Sequence, residues 1–100
     1  MNTDVIEVLA EHWDQVVPLL AGDQRDVVAQ HAQQLLSAGD PQAQLDAAWR
    51  IIRIVAPRLP ADHPVRRALA AESHRYAGPA ADLAPSLALL RTRLTASFCR

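Results

Sequence analysis

Four histidines are the residues best suited to hold a metal ion in this chain: His12, His31, His63 and His74. Helical metal sites usually place two ligands four residues apart, or pair histidine with cysteine or an acid at fixed spacing. No two of these histidines have that spacing, and a helix carrying His63 and His74 would hold them roughly 16 Å apart. We therefore predict no metal site and no residue that binds a cofactor.

Candidate catalytic side chains are equally scattered. Glu11 and His12 are adjacent, but neighbouring residues of a helix point in different directions and do not form an acid–base pair. No serine lies in a nucleophile turn, and Cys99, the single cysteine, stands next to the last residue, where catalytic geometry is hard to hold. We predict no catalytic residue, no small-molecule substrate and a protein that is not an enzyme.

The charges divide the chain into two halves. Residues 1–46 hold eight acids and one arginine, for a net charge of −7, whereas residues 47–100 hold three acids and nine arginines, for +6. Two interpretations stay open, either neutralisation of one half by the other within the fold or a polarised surface that meets a charged partner. The arginines that cluster around the middle connector give the candidate partner-binding residues, together with one histidine: Arg58, His63, Arg66, Arg67 and Arg75.

Helical signals must position these residues. Half of the 100 residues are hydrophobic and only four are aromatic, which favours helices over a sheet. Apolar residues recur at helical spacing over about 4–17, 23–38, 41–55, 64–76 and 82–98, separated by Gly and Pro. We predict an all-α fold, a compact bundle of four to five short antiparallel helices in a single domain, 1–100.

Capping residues set the predicted helix boundaries. Asp23, Asp40, Asp62 and Asp82 are the expected N-caps, and Pro41 follows Asp40 at the first helical position, which is the strongest boundary signal. The third predicted helix should be the most buried. The expected core side chains are Trp13, Leu45, Trp49, Ile52, Leu69 and Leu90.

One stretch resembles a known family. The residues that carry the resemblance to the CATRA-associated small protein of actinobacterial conflict systems are Trp13, the run Gly22-Asp23-Gln24-Arg25, Arg75 and above all the run from Leu59 to Leu69, LPADHPVRRAL. That family is named after the caspase/tetratricopeptide-repeat-associated domain that it accompanies. The resemblance implies a non-enzymatic accessory protein beside protease- or repeat-containing effectors, with no catalytic residue to carry over.

We therefore expect a small bacterial interaction module or adaptor, with a protein partner that is such an effector or a second copy of the chain. The alternative is a nucleic-acid-binding regulatory protein that uses the Arg-rich second half, although the acidic half would repel phosphate. The absence of a 20-residue apolar stretch, the acidic start of the sequence and the lone cysteine predict a cytoplasmic protein with no membrane association.

Overall fold

The computed structural model describes residues 5–72 and 83–98, with side chains for all of these except residues 71 and 72. These ranges are helical and contain no strand, so the predicted all-α class is confirmed. The described α-helices are α1 (Val5–Glu11), α2 (Trp13–Val16), α3 (Asp23–Ser37), α4 (Pro41–Val55), α5 (Pro64–Glu72) and α6 (Ala84–Phe98), and 3-10 helices follow α2 at Val17–Leu19 and α4 at Ala56–Arg58.

The described part holds six α-helices rather than four to five because the first predicted helix is broken. His12 leaves helical geometry, with φ −104° and ψ 14°, and separates α1 from α2. Its ring Nδ1–H donates to the carbonyl of Val8 at 2.9 Å, so the side chain binds backbone of the preceding turn. Pro18 then lies within the 3-10 helix, where its missing N–H costs little.

The start of α4 follows the sequence signal directly. Asp40 is the N-cap, its carboxylate accepts from the N–H of Ala43 at 3.2 Å, and Pro41 is the first helical residue. The side-chain amide of Gln44 donates to the carbonyl of Ala38 at 2.8 Å and so ties the end of α3 to the start of α4.

Two predicted N-caps are wrong. Gly22, with φ 53°, occupies the capping position of α3 and makes no side-chain cap bond, so Asp23 is the first helical residue. A left-handed φ suits glycine, which has no Cβ to clash. Before α5 the side chain that accepts is that of His63, not Asp62. Asp82 and Tyr76 lie outside the described residues.

One hydrophobic cluster joins all six helices. Trp13, Leu45, Ile52 and Leu90 are buried as predicted, whereas Trp49 and Leu69 are only half-buried and pack against the cluster from outside. The most buried helix is α1 rather than α4, since five of its seven residues are buried, against six of 15 in α4. The cause is its position, because α1 packs against both α5 and α6.

The remaining helices pack around that centre. α3 and α4 lie side by side, and α6 contacts α1, α3 and α4. The start of α3 and the end of α4 line one groove together, so these two helices are antiparallel. Within the described ranges, none of the helices combines the length and the apolar character that crossing a bilayer requires.

Candidate partner-binding surface

The connector between α4 and α5 is held by one buried side chain. Leu59 is buried in the core, while Arg58 and Pro60 on either side of it are exposed. The N–H of Leu59 donates to the carbonyl of Ala56 at 3.1 Å, and that of His63 to Pro60 at 2.9 Å, so two turns set the path of the chain. Arg58 is thereby fixed at the surface by the backbone on both sides of it.

Two further arginines stand in the first turn of α5. Arg66 and Arg67 are both exposed. The guanidinium Nη1 of Arg66 donates to the carbonyl of Leu59 at 3.2 Å. Because Leu59 directly follows Arg58, the charge of Arg66 lies close to the backbone of Arg58. The N–H of Arg67 donates to the carbonyl of His63 at 3.0 Å and closes the first turn of the helix. Arg58, Arg66 and Arg67 form what we call the basic connector surface.

Among the described side chains, no carboxylate pairs with these charges. Within residues 5–72 and 83–98, none of the three guanidinium groups forms an ion pair, and the hydrogen bond of Arg66 goes to a backbone carbonyl. The described carboxylates of the acidic half therefore form no ion pair at this surface. A carboxylate of a partner would meet arginines whose donors are largely free, and Arg binds carboxylates through a planar fork of such donors.

His63 holds the surface to the rest of the fold. Its Nδ1 accepts from the N–H of Val65 at 3.1 Å and caps α5. Its Nε2–H donates to the side-chain oxygen of Gln15 at 3.2 Å. Its ring also meets the ring of His12 edge-on, with centroids 5.4 Å apart and planes at 74°. Of the predicted surface residues, His63 is thus the half-buried one, and it positions Arg66 and Arg67 by starting their helix.

The environment of His63 favours the neutral ring. Its pKa is lowered from the usual 6.5, chiefly because burial removes water from the charged form and also because His12 lies beside it, while the nearby Asp62 acts in the opposite direction. The hydrogen bonds require the same state, because Nδ1 must keep its lone pair to accept from Val65.

The other predicted and missed residues are placed as follows. Arg75 and His74 lie outside the described residues. The contact between His12 and His63 was missed from the sequence, since 51 positions separate them and no local spacing marks the pair. The described part of the chain contains no group of three or more His, Cys, Asp or Glu that could hold a metal, so no further described side chain completes a metal site with these two rings.

Comparison of the chain with models of protein families, with curated proteins and with solved structures gave no match.

Proposed function

We propose that the chain is a small, non-enzymatic interaction module that binds an acidic protein surface through Arg58, Arg66 and Arg67. The observation that carries the proposal is that these three exposed arginines stand together beside a fixed connector without an ion pair inside the described fold. Exposed charges of this kind speed the encounter with a complementary surface and fix its orientation more than they add affinity.

The partner class rests on the resemblance of the segment from Leu59 to Leu69. We propose a protease- or repeat-containing effector of a bacterial conflict system, with this chain as its accessory adaptor. The segment is also the one that presents Arg66 and Arg67, so resemblance and surface coincide. The single cysteine fits a reducing compartment, and we propose the cytoplasm as the place of action.

Affinity capture tests this proposal directly. The wild-type chain and the variant Arg66→Glu/Arg67→Glu serve as baits in lysate of the host, and the captured proteins are identified by mass spectrometry. The matched control is Arg50→Glu/Arg91→Glu, which makes the same change in net charge at two exposed arginines on other helices. We expect wild type and control to capture a partner that the first variant loses. That variant should associate more slowly with the partner, and its difference from wild type should become smaller at high salt.

Two outcomes would contradict the proposal. One is a partner that binds the Arg66/Arg67 variant as well as wild type. The other is a shift of duplex DNA or RNA at physiological salt that weakens steeply as salt rises, because phosphate contacts release counterions. That second outcome would favour the nucleic-acid-binding alternative.

A further inference from the structure

A second feature lies away from α5, in a groove of about 360 Å³ between the start of α3 and the end of α4. Val27, Ile54 and Pro57 give it an apolar lining. Val27 is 39% exposed, so part of its apolar surface faces water in the groove. The groove therefore presents apolar surface that a partner would remove from water.

The two sides of this groove carry opposite charges. Asp23 lines it from α3, one turn before Val27 and so on the same face of that helix. Arg53 and Arg58 line it from α4 and the 3-10 helix that follows. Within the described residues Asp23 forms no ion pair with either arginine, so the acidic wall and the basic wall stand apart.

A second large hydrophobic side chain is exposed on the segment that precedes α3. Leu19 is 45% exposed, and it and Val27 are the large hydrophobic side chains that stay exposed in the described part of the chain. Three residues lie between Leu19 and Asp23, so the two Cα atoms lie within about 14 Å of each other.

We propose that this groove is the interface between two copies of the chain related by a two-fold axis. Such an axis places each patch against its own copy, so the acidic wall of one protomer faces the basic wall of the other. Asp23 then pairs with Arg53 of its partner in two equivalent contacts, and the apolar lining around Val27 is covered between them. The proposal goes beyond the adaptor function, because its pairing residues, Asp23 and Arg53, lie outside the basic connector surface.

The size of the groove sets the expected strength. Seven residues line it, whereas a stable interface takes roughly 20–30 residues from each side. We therefore expect a weak, reversible dimer that forms as the protein concentration rises. Its charge contacts lie at the surface, so added salt should weaken it.

Sedimentation equilibrium of the full chain, from about 10 µM to about 1 mM, measures the dimer. We expect wild type to fit a monomer–dimer equilibrium. Asp23→Arg makes both walls basic, and Arg53→Asp removes the net positive charge of the basic wall, where Arg58 remains, so each variant alone should weaken the dimer by at least about tenfold. An equimolar mixture of the two variants should restore a dimer, because the reversed charge at position 23 of one variant meets the reversed charge at position 53 of the other, while Asp23 meets Arg53 at the second contact.

Matched controls separate the interface from helix stability. Asp26→Arg reverses a charge in the same first turn of α3 but outside the groove, and Arg50→Asp does so on α4 outside the groove. Both should dimerise like wild type. Far-UV circular dichroism of each variant establishes that it is folded, and Arg53→Gln gives a milder change that should weaken the dimer without reversing the wall.

Three results would overturn the proposal: a wild-type chain that stays monomeric over the whole range, a dimer that survives both reversals, or variants whose mixture stays monomeric. Arg58, Arg66 and Arg67 are intact in every variant used here. Failure of this interface therefore leaves capture of an acidic partner measurable, and loss of that capture leaves the dimer measurable.

Discussion

His12 and His63 contact each other edge to face, with ring centroids 5.4 Å apart, although 51 positions separate them in the chain. His12 stands at the break between α1 and α2, and His63 caps α5, so the pair joins the C-terminal end of α1 to the N-terminal end of α5. Each ring is oriented by a backbone group, the carbonyl of Val8 for His12 and the N–H of Val65 for His63.

The His63 cap predicts a stability that falls in acid. Folding lowers the pKa of His63 from 6.5, so the unfolded chain binds the proton more readily than the folded one. The contribution is present above pH 6.5 and is lost as the pH falls through the lower folded pKa. The facing groups are His12, whose charge reinforces the effect, and Asp62, which opposes it.

The measurement is the thermal midpoint of wild type and His63→Asn between pH 7.5 and pH 5. Asn accepts from a backbone N–H at an N-cap but does not titrate in this range. We expect the midpoint of wild type to fall more on acidification than that of the variant. Parallel curves for the two proteins would show that His63 does not carry the acid sensitivity.

Arg66 and Arg67 should differ in their effect on stability, although both are exposed. Arg66 donates to the carbonyl of Leu59, so Arg66→Glu should lower the free energy of unfolding by about 0.5–1.5 kcal/mol, the usual net worth of one hydrogen bond. Arg67→Glu should change it by less than about 0.5 kcal/mol, as is usual for a surface substitution. Urea titration of both variants compares them, and equal losses would contradict the assignment of the Arg66 bond.

Ile52 lies fully buried in α4 at the centre of the core. Ile52→Ala should cost about 2–5 kcal/mol, because it removes buried methyl groups and leaves a cavity. The matched control is Ile54→Ala on the same helix, where the side chain is only half-buried and the loss should be clearly smaller. Denaturant unfolding compares the two variants: if their curves have equal slopes, the lower midpoint belongs to the less stable variant. We expect this to be Ile52→Ala, and an unchanged midpoint for Ile52→Ala would contradict the prediction.

Trp13 joins α2 to α6 by two contacts. Its indole N–H donates to the hydroxyl of Ser97 at 2.8 Å, and its ring meets that of Phe98 edge-on at 6.2 Å. Ser97→Ala should lower the free energy of unfolding by about 0.5–1.5 kcal/mol, and by more where no other acceptor replaces the lost hydroxyl for the indole N–H.

A double-mutant cycle with Trp13→Phe isolates this bond. If the bond carries the loss, Ser97→Ala should cost less in the Trp13→Phe background than in wild type. Strictly additive losses would assign the effect of each substitution to packing alone.

The sequence predicts the fold where the deciding interaction is local. Asp40 and Pro41 start α4 because a cap reaches only three residues ahead, and that geometry holds in any helical context. Asp62 carries the same type of signal before α5, yet His63 takes the position, because its ring is also held by Gln15 and His12. Gln15 lies on α2 and His12 at the break before it, and a single sequence does not indicate that either one contacts His63.

The candidate surface divides in the same way. The exposure of Arg58, Arg66 and Arg67 is predictable, because they lie on a proline-rich connector and in the first turn of the helix that follows it, whereas the burial of Leu59 was not predicted. The opposing walls of the α3–α4 groove cannot be predicted in this way, since Asp23 and Arg53 line the same groove only when the two antiparallel helices pack. Likewise, Trp49 follows the apolar pattern of α4 but stays half-buried, because helix packing covers only part of an apolar face.

The packing of α1 against α6 has a consequence for synthesis on the ribosome. α1 emerges before α6, which covers it, and the bond from Trp13 to Ser97 spans 84 positions. The α3–α4 pair needs only a short loop and can form while the chain is still growing. Five of the seven residues of α1 are buried in the folded chain, and until α6 is made their apolar surface stays uncovered. During this interval the nascent chain is most open to capture by a chaperone, and the core closes only after α6 has emerged from the ribosome.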